Sequence, residues 1–555
     1  MRKVIHLILI LGVLLSLSSC GTSKSIHHQP KVTGYNQAIP GVVKHSDTVF
    51  SSGTNYLVKN KQNIWELYVS GDPLQRGLLM GALAEPLVKK QESLFFSKVK
   101  EIVPSNFKQN LLRQFLKWYN RKLYLNVPEE YKTEIYGVSQ YASDDFNSIA
   151  PKYLRSLYLH GAHDIGHAMQ DLALVGCSSL ALWGDKTEDG ELLLGRNFDF
   201  YAGDEFAKDK VVAFIKPDSG HPFMMVTWGG MIGVVSGMNK EGLTITINAG
   251  KSKIPLVAKT PISIVAREIL QYASTINEAI AIAKKRQVFV SESIMIGSAR
   301  DKKAVLIEMS PKQFGVYEVP NQNNQLVCTN HFQSDVYKDD ERNNEHIIES
   351  HSKYRYDRVE ELLDKQDKMN PQKMADILRN KEGLHNKKIG YGNEKSLNQL
   401  LAHHAIIFKP ESRMVWVSSN PYQLGDFVAY DLNKIFSKKE NDFVALATDS
   451  LTIPRDKFVY SEEFKNYEKY RVQSITFDKI IDEEGVASPE FISDYQKLNP
   501  EHWIVYYKAG DYYYQKKEFQ KAKEQFETAL TKEITTLTDK KNIEKYLKKI
   551  NKKLK

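Results

Sequence analysis

The chain has 555 residues, 42 % of them hydrophobic and 26 % charged, with a formal net charge of +9. That length predicts more than one folded unit and an ample core. The charge is no nucleic-acid signal: residues 501–555 hold 14 Lys against 8 acidic residues, so +6 of the +9 sits in the tail and the body is near neutral.

Arg2 and Lys3 precede an apolar run from Val4 to Leu17, closed by Leu17-Ser18-Ser19-Cys20. This reads as a signal segment over residues 1–19, not as a domain or a spanning helix. Its ending resembles a bacterial lipobox, which implies cleavage before Cys20 and lipid on that cysteine. The alternative is an ordinary secretion signal cut elsewhere. Each buried CH₂ contributes roughly 0.8 kcal/mol, so two or more acyl chains would anchor the protein firmly. Residues 20–45 read as a tether. No later apolar run nears the roughly 20 residues a span needs. The expected location is the cell envelope, as a lipid-anchored membrane lipoprotein on a periplasmic or other extracytoplasmic face.

Residues 46–176 read mainly as a helical pre-region. Leu74 to Ala84 has helical apolar spacing, with Gly77 and Gly81 four apart to admit a close neighbour. Ser93 to Tyr124, Glu134 to Ala142 and Ala150 to Leu172 are further helix candidates. From residue 177 the pattern changes to short alternating or apolar runs. They lie at 177–183, 191–200, 210–216, 223–228, 233–238 and 243–248, split by turns such as Glu188-Asp189-Gly190. Helices follow over 261–286 and 350–381. Strands are expected at 289–297, 304–309, 314–319, 403–409 and 413–418. This order predicts an α+β layered body over 177–450. In the tail, 485–555, Gly510, Tyr513, Ala522, Phe526 and Ala529 fall at the spacing of one tetratricopeptide-like hairpin, or of a plain amphipathic helix pair. Such a tail is a candidate site for a protein partner.

The chemistry centres on Cys177. The chain has only three cysteines, Cys20, Cys177 and Cys328. A disulfide framework is therefore not expected, although one Cys177–Cys328 bridge stays open. Cys177 follows Gly176 and precedes Gly195-Arg196-Asn197-Phe198-Asp199 by one hairpin. A cysteine that becomes a new N-terminus carries its own base. An α-amine has a reference pKa of about 7.7–8.0 and can accept the thiol proton, which an internal amide cannot. Gly176 offers no side chain to hinder attack on its carbonyl.

Several linked pieces extend this pattern: Gly71-Asp72-Pro73-Leu74-Gln75-Arg76-Gly77, Glu134 with Gly137, Ser236-Gly237-Met238-Asn239-Lys240-Glu241-Gly242-Leu243, and Thr329-Asn330-His331-Phe332. Together they resemble the acyl-CoA:6-aminopenicillanic acid acyltransferase-like family, peptidase family C45. Its relatives include choloylglycine hydrolases and penicillin V acylases. The resemblance runs from about Gly71 to Leu432. It implies an N-terminal nucleophile αββα sandwich, self-cleavage between Gly176 and Cys177, and hydrolysis of N-acyl amides through a thioester. It also implies roles. Asp199 would bind the α-ammonium, and Arg196 would hold the thiolate or orient Asp199. Asn330 would donate to the oxyanion, with a backbone N–H near Asn248, and Arg355 would match a distal family arginine.

Positions three apart point to opposite faces of a strand, so a bulge or strand end is expected to bring Arg196 and Asp199 together. His331 is expected to orient its neighbours. Phe223, Met224, Met225, Trp228 and Met231 are candidates for an acyl pocket. No cofactor is implied. His160, His163, Asp164 and His167 form H-x-x-H-D-x-x-H, which suits either a divalent metal or a hydrogen-bonded helix face. The competing functions are acyl transfer from Cys177 to an amine, a non-catalytic binding lipoprotein, and a metallohydrolase built on those histidines.

Overall fold

The structure is a computed structural model that describes residues 22–161, 164, 175–201, 203–251, 257–320, 323–438 and 442–555. The signal segment with Cys20, and both His163 and His167, lie outside the described residues.

Four strands open the body: β1 (Val43–Ser46), β2 (Val49–Ser52), β3 (Asn55–Lys59) and β4 (Trp65–Gly71). The pre-region is therefore not wholly helical, and β1 begins inside the expected tether. These strands are four to seven residues long, too short for a clear alternation. The pairing that fixes β4 is parallel, Trp65↔Val211 to Gly71↔Pro217, with a strand far along the chain. Helices then follow: α1 (Pro73–Leu83), α2 (Glu85–Ile102), α3 (Asn106–Tyr119), α4 (Leu123–Asn126), α5 (Glu129–Ser139) and α6 (Lys152–His160). The expected helix over 93–124 is broken beside Pro104, whose ring disfavours helix in the residue before it. Ser105 then caps α3 by accepting from the Lys108 N–H.

Next come β5 (Val175–Leu182), β6 (Leu193–Phe200), α7 (Asp204–Lys208), β7 (Val211–Pro217), β8 (Phe223–Thr227), β9 (Ser236–Asn239) and β10 (Leu243–Ala249). They are followed by α8 (Ile262–Tyr272), α9 (Ile276–Lys284), β11 (Glu292–Ser298), β12 (Lys303–Met309), β13 (Phe314–Tyr317) and β14 (Gln325–Cys328). The body ends with α10 (Glu341–Glu349), α11 (Ser352–Leu363), α12 (Pro371–Leu378), β15 (His404–Lys409), β16 (Met414–Ser418), β17 (Phe427–Asp431) and α13 (Leu432–Ser437). The tail helices are α14 (Glu462–Asp482), α15 (Pro489–Leu498), α16 (Trp503–Gln515), α17 (Phe519–Thr531) and α18 (Leu537–Lys553).

Two sheets organise the body. One has the order β1-β2-β3-β4-β7-β8-β9-β10-β11-β12-β13, the other β14-β5-β6-β15-β16-β17. Alternation along β7 shows the layering. Val211, Ala213 and Ile215 join Leu79, Leu83, Val265 and Ile269 of the helices. Val212 and Phe214 face the other way, onto Leu194, Ile406 and Phe408 of the second sheet. That sheet's outer face, with Leu180, Leu182 and Ile407, packs on Val359, Met374 and Leu378 of α11 and α12. The order is helix, sheet, sheet, helix: the αββα sandwich expected from the sequence, with a helical C-terminal region.

The pre-region is locked into this sandwich. Where α1 crosses α5, a Cβ on Gly77 would lie 2.1 Å from the Glu134 carbonyl oxygen, and one on Gly137 would lie 2.7 Å from the Leu78 nitrogen. Only glycine admits that approach. At the crossing, Glu134 is fully buried between Arg76 at 2.8 Å and Arg267 at 3.0 Å. Burial pushes the Glu134 carboxyl up, but the two guanidiniums, Arg267 foremost, hold it below its ordinary value. The tail docks through Asn393, which donates to the Glu533 carbonyl at 2.9 Å, and through Lys395, 2.6 Å from the Glu533 carboxylate.

Candidate active site

Cys177 lies near the start of β5, on the face turned toward the other sheet. Its thiol is buried, and burial raises its pKa while Arg196 pulls it down. Pairing between β5 and β6 runs unbroken from Val175↔Phe200 to Leu182↔Leu193. No bulge re-aims β6; Asp199 instead sits one residue from the strand end, the other device expected from the sequence. Arg196 and Asp199 stay on opposite faces of the strand and flank Cys177 from two sides.

Arg196 shares the inner face with the thiol. Its Nη2 lies 3.5 Å from the Cys177 Sγ and also donates to the Ile247 carbonyl, while Nη1 donates to Ser236 Oγ at 2.6 Å. Ser236 Oγ is in turn 2.9 Å from His404 Nε2, and His404 Nδ1 is 2.9 Å from His403 Nδ1. Burial depresses both imidazoles well below their ordinary pKa, so they stand neutral beside the guanidinium. Sequence reasoning missed this pair. Two adjacent histidines in an apolar strand give no sign of what they face.

Asp199 occupies the outer face, with Gly176 as its cross-strand partner. It is fully buried and neither carboxylate oxygen has a hydrogen-bond partner among the described residues. Burial pushes its carboxyl up to about 7, against the pull of Arg355 and Arg196. A Cβ on Gly176 would lie 2.7 Å from the Gln399 Nε2, so a larger residue at the candidate scissile bond would have to displace that side chain.

Asn330 and Arg355 hold the Cys177 backbone. Asn330 Oδ1 accepts from the Cys177 N–H at 3.1 Å, and Asn330 Nδ2 donates to the Ala249 carbonyl at 3.0 Å. Arg355, reaching in from α11, donates to the Cys177 carbonyl at 2.6 Å, to Ser178 Oγ at 2.8 Å and to Asn330 Oδ1 at 2.5 Å. Arg355 is thus a buried clamp and not a solvated helix arginine. In the intact chain the Asn330 donor is occupied by Ala249, and its acceptor serves the nitrogen that cleavage would free. His331 Nδ1 lies 2.9 Å from Ser352 Oγ, which accepts from the Asn330 N–H at 2.8 Å. That is the orienting position expected of it. The Asn248 side chain bolts the sheets together, accepting from Ser179 Oγ at 2.8 Å and donating to the Cys328 carbonyl at 3.2 Å. Cys177 and Cys328 are both free thiols, so no bridge joins them.

An apolar cleft lies beyond the end of β6, lined by Phe200, Phe206, Trp228, Met231, Val88 and Phe95 among others. Phe200 stacks on Phe198, the cross-strand partner of Cys177, and on Trp228. Of the five pocket candidates, Trp228 and Met231 line the cleft. Phe223, Met224 and Met225 are instead wholly buried in the sheet's two cores. His160 has no lone pair left for a metal: its Nδ1 pairs with the Ser156 carbonyl at 2.7 Å and its Nε2 accepts from the Ile232 N–H at 3.0 Å. Asp164 accepts from the Ile262 N–H at 2.8 Å.

The class defined by this arrangement is an αββα sandwich with a cysteine near the start of an inner-sheet strand. Residues 186–421 match the profile of the acyl-coenzyme A:6-aminopenicillanic acid acyl-transferase family, which bears out the resemblance read from the sequence. Arg196, Asp199, Asn330 and Arg355 fall inside the match, whereas Cys177 precedes it. An uncharacterized protein of Archaeoglobus fulgidus is 26 % identical over 266 residues, 45 % of this chain and 44 % of its own length. The chain thus spans under half of that relative. Among solved structures, a Caenorhabditis elegans N-acylethanolamine-hydrolyzing acid amidase ortholog is 18 % identical (TM-score 0.31), covering 42 % of this chain and 93 % of that one. A mutant of the conjugated bile acid hydrolase of Clostridium perfringens is 17 % identical (TM-score 0.33; 51 % and 97 %). Penicillin V acylase of Agrobacterium tumefaciens is 14 % identical (TM-score 0.31; 46 % and 87 %).

Proposed function

We propose that the protein is a self-cleaving N-terminal cysteine hydrolase of N-acyl amides. The observation that carries this reading is the pair Asn330 and Asp199 at Cys177. Asn330 Oδ1 accepts from its nitrogen, and beyond the scissile bond a buried carboxylate stands without a hydrogen-bond partner among the described residues. A buried unpaired carboxylate is costly unless a cation or donor meets it. Cleavage would create that cation.

In the intact chain the Cys177 thiol would lose its proton and attack the Gly176 carbonyl carbon. Collapse breaks the Gly176–Cys177 C–N bond, and the nitrogen takes up a proton as the thioester forms. Water then hydrolyses the thioester, leaving the Gly176 carboxylate, the Cys177 thiol and a free α-amine. In turnover the amine accepts the thiol proton, and the thiolate, held by Arg196, attacks the substrate acyl carbon. The amide nitrogen leaves with a proton, and water releases the acid. Charge on the substrate oxygen needs a donor. The Asn330 amide can supply it once it turns from the Ala249 carbonyl. The cleft beyond the end of β6 is the candidate place for the acyl group.

The second reading, transfer of the acyl group to an amine, shares every step to the acyl-thioester and is favoured by the family whose profile matches. A panel of N-acyl amides, assayed with and without amine acceptors, separates the two by product. Loss of activity with a thiol alkylator and none with a chelator supports the cysteine mechanism. The reverse pattern overturns it. We further propose that the protein is a lipoprotein anchored through Cys20, with the outer faces of the tail helices as a surface for a protein partner.

A further inference from the structure

A helix in the pre-region carries an outward apolar stripe that the chemistry at Cys177 does not use. On α3, Phe107, Leu111 and Phe115 are 78 %, 64 % and 48 % exposed, whereas Tyr119 is buried. Spaced four apart, they form one row on the helix. Leu125, on α4, is 65 % exposed just beyond. Single exposed apolar residues need no explanation, but a contiguous row of this kind marks an interaction surface.

The charge around the row selects the occupant. Residues 102–128 contain Lys108, Arg113, Lys117, Arg121 and Lys122 and no acidic residue. The Arg121 guanidinium lies 4.3 Å over the Trp118 ring, an aromatic–cation pair suited to a polar–apolar boundary. An amphipathic helix with Phe, Leu and Trp on one face and only basic charge has the pattern of helices that lie in a bilayer interface. A protein partner would need a matching acidic rim. An anionic lipid surface supplies both the negative charge and the apolar interior.

The tether's position agrees. Its described start packs on the same end of the pre-region: Ser25 Oγ is 3.4 Å from Tyr158 Oη, the His28 ring is 4.3 Å from that of Tyr124, and the Lys31 N–H donates to Glu129 at 2.7 Å. The eight Cα–Cα steps from Cys20 to His28 can span at most about 28 Å. A lipid on Cys20 would thus hold a bilayer within reach of α3 and α4.

We propose that α3 and α4 form a docking surface for an anionic lipid bilayer, a second membrane contact besides the lipid on Cys20. The stripe and its charge carry this independently of the reaction at Cys177.

The test uses the mature chain bearing Cys20→Ala, so that no acyl chain contributes. It is sedimented with vesicles of phosphatidylcholine alone and of phosphatidylcholine with about 30 % phosphatidylglycerol. Binding is expected to the anionic vesicles, to weaken as salt rises, and to be much weaker on the neutral ones. Phe107→Asp/Leu111→Asp/Phe115→Asp should lower partition by about ten-fold or more. Lys108→Gln/Arg113→Gln/Lys117→Gln, which keeps the apolar row, should weaken both the binding and its salt dependence. Far-ultraviolet circular dichroism and the thermal midpoint confirm that each variant is folded. Equal binding of parent and both triple variants would overturn the proposal, as would no binding to anionic vesicles. A soluble dimer abolished by the apolar substitutions, without vesicle binding, would assign the face to a second copy and also overturn it.

Discussion

The Asn330 side-chain oxygen accepts a hydrogen bond from the Cys177 backbone nitrogen at 3.1 Å, and its amide nitrogen donates to the Ala249 carbonyl. On the proposed mechanism, one side chain would serve the nitrogen in the intact chain and hold in reserve the donor that acyl transfer needs. Asn330→Ala should lower turnover of correctly processed protein by about 10²–10³ in kcat, the usual effect of losing one oxyanion donor. Asn330→Asp keeps an acceptor for the Cys177 nitrogen and loses the donor, so it should process more readily than Asn330→Ala yet turn over as poorly. Near-wild-type kcat in either variant would remove Asn330 from the oxyanion role.

Asp199 gives a prediction in pH. Its carboxyl is raised to about 7 by burial in the intact chain. A raised folded pKa means that the folded state holds its proton more tightly than the unfolded state. The contribution is present below the unfolded value, about 3.9, and is lost as pH rises through 7. In a Cys177→Ala background, which cannot self-cleave, Asp199→Asn should raise the thermal midpoint at pH 8 by roughly 2 °C or more and leave it nearly unchanged below pH 4. An equal shift at both pH values would mean that folding does not raise the Asp199 pKa. In the processed enzyme the same substitution removes an anion beside the α-amine, lowers the amine pKa, and should move the acidic limb of the pH–rate profile to lower pH.

Cleavage at Gly176 should not separate the fragments. The pre-region supplies β1 to β4 of an eleven-stranded sheet and the buried Glu134 that meets Arg267 from the far side of Gly176. The two pieces are expected to coelute in native chromatography and to part only in denaturant. Glu134→Ala takes the carboxylate partner from the buried Arg267 and leaves Arg76 with Glu130, and should destabilise the protein by about 3–5 kcal/mol in denaturant titration, as loss of a buried ionic partner does. A change below about 1 kcal/mol would show the ion cluster to be dispensable.

Labelled fatty acid should enter the wild-type protein and not Cys20→Ala. Label in the variant would place the lipid elsewhere, and no label in either would return the leader to an ordinary secretion signal.

Much of the site is legible in the sequence because its residues carry chemistry in short, ordered pieces. Cys177, Arg196, Asp199 and Asn330 stand out from their neighbours, Arg355 is reached only through the family resemblance, and the fold brings all five around one peptide. What escapes is what only tertiary pairing creates. β1 to β4 are short, and β4 is fixed by a parallel partner on the far side of Gly176. The expectation of a bulge or strand end in β6 follows from strand geometry alone. It does not allow for Arg355, which reaches the outer face from a helix far along the chain. His403 and His404 give no signal because their role depends on Ser236, a partner on the other sheet. Phe223 to Met225 look like a pocket because apolar strand ends resemble pocket walls until their packing is known.

The most direct test of the account is the N-terminal sequence of the purified protein's larger fragment, read beside the Cys177→Ala variant. The account predicts a fragment beginning Cys177-Ser178-Ser179 in active wild type, and a single, inactive chain in the variant. A fully active wild-type protein recovered as one intact chain would contradict it.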